Sequence, residues 1–169
     1  MAELIVYFSR AGENYFSGAL RSVPVGNTQR AAELLAGLTG ADLFPLEPVQ
    51  PYSDSYDECI AQAQDDLRRD ARPELVRWPE ELDQYDTVYL GYPIYWGTIP
   101  MPVATFLERS DLSGKTIRPF CTHEGSGLAR SAADIRKLCP DAVVGTGLAI
   151  QGGRVSQAGQ ALKAWSERK

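Results

Sequence analysis

The sequence predicts an α/β fold, a parallel sheet with helices on both of its faces. Five short apolar runs of strand length alternate with five helical stretches along the 169 residues. Parallel neighbours need a crossover connection, and right-handed crossovers lay helices against both faces of the sheet. The length agrees, because 169 residues suit one domain spanning 1–169 and five β-α units leave few to spare.

Leu4 to Phe8 is a β-branched and aromatic run between polar residues, so it reads as a strand buried on both faces. The stretch from Ser9 to Gly26 is polar, carries glycine, and is long for a connection; it reads as a loop that is either functional or mobile. Asn27 or Thr28 can cap the first helix, in which Ala31, Ala32, Leu34, Leu35 and Leu38 keep the helical period before Gly40 ends it. Leu43 to Leu46 forms a short second strand, and a proline-rich turn from Pro48 to Pro51 follows. Tyr56 to Arg72 reads as a solvated helix with Ile60, Ala63 and Leu67 on one face. Pro73 and Pro79 bracket an irregular piece, and Thr87 to Tyr92 is the third strand. A helix over Pro102 to Arg109, a fourth strand over Thr116 to Cys121 and a helix from about Ser131 to Leu138 come next. Val143 to Ile150 contains the fifth strand, weakened or bulged at Gly145 and Gly147. The last helix runs from Ser156, a suitable cap, to Glu167.

Composition removes several function classes. Seventeen basic and 22 acidic residues leave a net charge of −5, so the chain lacks the long-range attraction of a nucleic-acid or membrane-surface protein. Bound phosphate must then be held by local geometry. Cys59, Cys121 and Cys139 are scattered and form no CxxC pair, which reads as reduced thiols in a cytoplasmic protein. No apolar run approaches the roughly 20 residues of a membrane span, and the first residues do not resemble a signal peptide.

Several motifs fail on spacing. Gly114-Lys115-Thr116 lacks the earlier glycine of a phosphate-binding P-loop, since Arg109 stands there, and it precedes a strand. Gly145-Thr146-Gly147 has Ile150 where a dinucleotide fingerprint needs its third glycine. Ser126 lacks a nucleophile elbow, and no cysteine has arginine six positions on. A phosphorylatable response regulator would carry acids where Ser9 and Pro93 stand. The single histidine, His123, cannot build a His-rich metal site. An organic cofactor becomes the better candidate.

A parallel sheet of this kind binds ligands beyond the carboxyl ends of its strands, where strand order reverses. The three loops of unusual composition follow strands one, three and four. Gly26-Asn27-Thr28 opens the first helix, where unpaired amides attract an anion, and Ser9 adds a hydroxyl. Pro93-Ile94-Tyr95-Trp96-Gly97 offers aromatic rings for stacking on a flat ligand, or for packing on a neighbouring helix. Thr122-His123-Glu124-Gly125-Ser126-Gly127 lets the backbone approach a ligand closely. These pieces, with Tyr7-Phe8-Ser9-Arg10-Ala11-Gly12-Glu13-Asn14-Tyr15 and Gly91-Tyr92, resemble the flavodoxin family over almost the whole chain. The chain more closely resembles its bacterial members with a long first loop.

The resemblance implies a three-layer sandwich, a five-stranded parallel sheet in order 2-1-3-4-5, and a bound FMN. It implies that Ser9, Asn27 and Thr28 hold the phosphate with neighbouring amides, and it puts Arg10 and Gly26 in the cofactor-binding set. Pro93, Ile94, Tyr95, Trp96 and Gly97 would line one side of the flavin ring, with Tyr95 or Trp96 stacking. Thr122, His123, Glu124, Gly125, Ser126 and Gly127 would line the other side and its pyrimidine end. The interruption from Ala11 to Val25 departs from a standard member, and would cover the flavin or carry partner specificity. The expected function is electron transfer through FMN, the acidity disfavouring the reduced anion and steering basic partners. The alternative is an FMN-dependent NAD(P)H:quinone-type oxidoreductase; a flavin-free interaction module is a third reading. Expected partners are redox proteins or a small-molecule electron acceptor, with no nucleic acid and no membrane, and the chain would be a monomer or weak homodimer.

Overall fold

The computed structural model describes residues 2–16 and 18–168; Met1, Ser17 and Lys169 lie outside them. Five helices flank a parallel sheet, and a separate hairpin is inserted after the first strand. The elements are β1 (Ala2–Tyr7), β2 (Gly12–Phe16), β3 (Ala19–Val23), α1 (Asn27–Thr39), β4 (Asp42–Pro45) and α2 (Tyr56–Arg68). They continue as β5 (Tyr85–Pro93), α3 (Met101–Arg109), β6 (Thr116–His123), α4 (Ser131–Leu138), β7 (Val143–Val144), β8 (Leu148–Gln151) and α5 (Gly159–Glu167).

The main sheet runs β4-β1-β5-β6-β7, with β8 also on β6. Counted as five strand positions, this is the order 2-1-3-4-5. Each pairing in it is parallel. Alternation along the strands divides the core in two. Leu4, Val6 and Phe8 of the first strand and its extension pack with Val88, Leu90 and Tyr92 against Val103, Phe106 and Ile135 of α3 and α4. Ile5 and Tyr7 face the other way, with Tyr89 and Phe120, onto Ala31, Ala32, Leu35, Leu162 and Trp165 of α1 and α5. A Cβ at Gly91 would stand 2.3 Å from the Phe120 ring, so only glycine fits there.

The structure redraws several elements. The segment read as a loop folds as the antiparallel pair β2–β3, in register from Gly12↔Val23 to Phe16↔Ala19. The second strand starts one residue earlier, and the third starts at Tyr85. Helix α2 stops at Arg68, because Asp70 takes a left-handed φ of 50° and the Ala71 amide closes back on the Asp66 carbonyl at 2.9 Å. The fifth strand breaks in two. Val144 pairs with Ile117 and Leu148 with Phe120, so the edge carries one residue more than β6 and bulges at Gly145–Gly147. Ser156 caps nothing: it sits in a 3-10 turn, and α5 begins at Gly159. The side chains of Asn27 and Thr28 do not cap α1 either; Gly26 is its N-cap residue. No helix among the described residues is long and apolar enough to cross a membrane.

Candidate functional site

The chain leaves β1 for the β4 side of the sheet and returns to the other side with β5, so strand order reverses at the carboxyl ends of β1 and β5. A cavity of about 290 Å³ opens there. The loops after β1, β5 and β6 meet at it, as the strand order requires.

The first loop crosses to the start of α1 through Ser9. Its Oγ accepts the Gln29 amide at 3.0 Å, doing from a distant strand end what an N-cap side chain does locally. Gly26 makes the approach possible, since a Cβ there would lie 2.3 Å from Ser9 Oγ and 2.5 Å from the Arg10 carbonyl. Thr28 is buried and its hydroxyl meets that of Thr122 at 2.8 Å, tying the helix start to the end of β6. The amides of Asn27 and Thr28 belong to the first turn, where a helix offers no internal acceptor. Asn27 Oδ1 is buried without a hydrogen-bond partner, and Asn27 lines the cavity.

Trp96 and Gly97 form a tight turn with φ of 53° and 83°, closed by the paired amides and carbonyls of Tyr95 and Thr98. The turn separates the two candidate stacking rings. Tyr95 turns inward: its ring lies edge-on to Phe8 and Tyr52 at 6.0 Å and 5.9 Å. Its hydroxyl accepts a weak bond from Cys59 Sγ. Burial pushes the Tyr95 phenol well above its ordinary value. Trp96 remains 45 % exposed at the cavity, its indole N–H donating to the Ile60 carbonyl at 2.7 Å, which fixes the ring plane. The Gly97 carbonyl accepts the Arg130 amide and anchors the turn to the start of α4.

In the third loop, His123 Nδ1 accepts the Gly125 amide at 2.9 Å, so the proton of the neutral ring sits on Nε2. Gly125 and Gly127 carry φ of 142° and 65°.

Of the expected residues, Arg10, Asn27, Pro93, Ile94, Tyr95, Trp96, Thr122, His123 and Glu124 line the cavity. Ser9, Gly26, Thr28, Gly97, Gly125, Ser126 and Gly127 lie in the loops that shape it, outside its lining. Arg10 has a structural task. Its Nε and Nη2 donate to the Ser53 and Asp54 carbonyls at 2.9 Å and 2.8 Å, and its Nη1 donates to the Glu13 carbonyl. Sequence reasoning missed the cavity's remaining wall, which consists of Asn14 and Tyr15 from the hairpin, Tyr56, Cys59, Ile60 and Ala63 from α2, and Gly152. The period that put Ile60 and Ala63 on one helical face was the available signal.

The flavodoxin family model matches residues 14–169. The chain belongs to the flavodoxin family. A candidate flavoprotein from Bacteroides eggerthii is 30% identical over 97% of this chain and 94% of its own, with a TM-score of 0.76. One from Bacteroides uniformis is 25% identical over 99% and 98%, with a TM-score of 0.79. A Lactobacillus acidophilus flavoprotein solved in complex with FMN shares the fold at 18% identity over 98% and 99%, with a TM-score of 0.71. Comparison with curated proteins gives no match.

Proposed function

We propose that this flavodoxin-family chain binds FMN and transfers electrons through it. The observation that carries the reading is Asn27, whose buried Oδ1 lacks a partner at the mouth of the first turn of α1. Such an acceptor asks for a hydroxyl donor, and the ribityl chain of FMN is a row of hydroxyls. Beside it, the Asn27 and Thr28 amides, for which the helix offers no internal acceptor, and the positive end of the helix suit the phosphate. The Ser9 hydroxyl, having accepted the Gln29 amide, keeps its own proton to donate to a phosphate oxygen. No lysine is needed, which fits a chain of net charge −5.

Bound there, FMN supplies the one- and two-electron chemistry that these side chains lack. The protein's residues orient it and set its energetics. Trp96, held by Ile60, offers the exposed indole face, while Tyr95 is committed to the aromatic core. His123 Nε2–H is a donor for a ring-edge oxygen. Glu124 in the cavity wall and the net charge of −5 disfavour extra negative charge on a ring held there.

Purified protein is expected to be yellow, with one FMN per chain and a thermal shift on FMN addition; colourless protein without a shift overturns the reading. A second reading, an oxidoreductase acting on small molecules, is favoured by the hairpin, which adds a wall to the cavity. Chemically reduced protein that is re-oxidised by a small quinone would mark the oxidoreductase. Re-oxidation only by a protein acceptor would mark a carrier.

A further inference from the structure

The hairpin brings an aromatic surface to the cavity that the cofactor cradle does not use. Tyr15 of β2 lies 5.9 Å from Tyr56 of α2, ring planes 30° apart, and both rings line the cavity. Tyr15 is 40 % exposed, so part of its ring stays open to solvent. The pair is held in place. Glu13 of the hairpin accepts the Tyr56 amide on its carboxylate at 2.9 Å, and its own amide donates to the Asp54 carbonyl at 3.0 Å.

The charge around this surface restricts what can lie on it. Among the described residues lining the cavity, Arg10 is the only arginine or lysine. Three of its nitrogens are already bonded to carbonyls of Ser53, Glu13 and Asp54. With the first-turn amides of α1 assigned to the FMN phosphate, the pyrophosphate of a pyridine dinucleotide would need guanidinium or ammonium groups elsewhere in the cavity. It would also approach a protein of net charge −5. A flat uncharged ring meets neither obstacle and gains from offset stacking on the phenols.

We infer that Tyr15, backed by Tyr56, is a specificity-determining platform for a flat, uncharged conjugated ring of the quinone class. The inference rests on FMN occupying the inner cavity, so that the docked ring lies at its outer side.

The test titrates FMN-saturated protein with menadione and follows the amide and indole N–H resonances. In the wild type the shifts concentrate at Asn14, Tyr15, Tyr56 and the Trp96 indole. Tyr15→Ala weakens menadione binding about tenfold, whereas Tyr15→Phe, which keeps the ring, stays within about twofold of wild type. Shifts that avoid the hairpin overturn the inference, as does undiminished menadione affinity in Tyr15→Ala. NADPH displacing menadione at equal or lower concentration overturns it as well. Flavin absorbance separates the two levels of failure. FMN uptake without dependence on Tyr15 removes the platform alone, whereas no FMN uptake by the wild type removes the functional reading and the platform with it.

Discussion

Trp96 occupies a backbone conformation that a bulky residue rarely takes, with φ of 53°, at a cost of the order of 1 kcal/mol. Its indole then gains a hydrogen bond to Ile60 and an open face at the cavity. Trp96→Ala should weaken FMN binding by about 1 kcal/mol or more, read by flavin fluorescence titration; unchanged affinity would show that the indole does not stack. Gly26 is under the opposite constraint, having no room for a side chain. Gly26→Ala drives a methyl into Ser9 Oγ and the Arg10 carbonyl. It should lower stability by about 1–3 kcal/mol in a denaturant melt and weaken FMN binding in the same protein. A full-strength FMN site in that variant would show that the phosphate is held elsewhere.

At the scale of elements, the hairpin stands apart from the main sheet, and its attachment is testable. Arg10 binds the hairpin base and the segment before α2 together through three carbonyls. Arg10→Ala should raise amide hydrogen exchange from Asn14 to Val23 by about tenfold or more while leaving β1 and β5 protected. Exchange unchanged in the hairpin would show that Arg10 is not its latch. The hairpin also shows where sequence reading stops. The five sheet positions were legible because buried parallel strands are continuous apolar runs, such as Leu4 to Phe8. In the hairpin, β3 exposes four of its five residues, and a strand without a buried face leaves no alternation to read. The meeting of the loops at one sheet edge was legible from the strand order and from Ser9 and Gly26-Asn27-Thr28, although the contact of Ser9 Oγ with the Gln29 amide is tertiary. The wall made by Tyr15, Tyr56 and Cys59 was not, because it exists only once the hairpin lies on α2. Cap assignments failed for the same reason: Ser9, eighteen positions before Asn27, reaches α1 only through the tertiary fold.

For the whole molecule, the buried thiols tie stability to alkaline pH. Cys121 is fully buried and its thiol is pushed up to about 12 from an ordinary 9.0; Cys139, nearly as buried, is pushed up to about 11. Both shifts come from desolvation, which the Ile150 backbone offsets slightly at Cys121. Above pH 9 the unfolded chain releases these protons while the folded chain retains them. Stability is therefore unaffected below that pH and falls as pH rises toward 11 and 12, by up to about 1.4 kcal/mol per pH unit for each thiol. Cys121→Ala should be less stable than wild type at neutral pH and show a shallower loss between pH 9 and 12, followed by chemical denaturation at several pH values. Equal slopes would mean that the thiol ionises without cost in the fold. The same protonation keeps both cysteines inert, so a disulfide-exchange reagent at neutral pH should label them only after unfolding.

The pairing of Gly12 with Val23 also bears on how the fold is reached. Ser9 and Gly26 must meet before α1 can dock, and a floppy segment between them would carry the full entropy of closing a long loop. A hairpin is assembled from neighbours in sequence, within microseconds. Once its strands are zipped, Arg10 and Gly26 flank its base, and the remaining gap is a few residues. The insertion thus shortens the effective loop that it lengthens on paper. An extension at the hairpin's tip, beyond Phe16 and Ala19, should slow folding far less than one of equal length at its base.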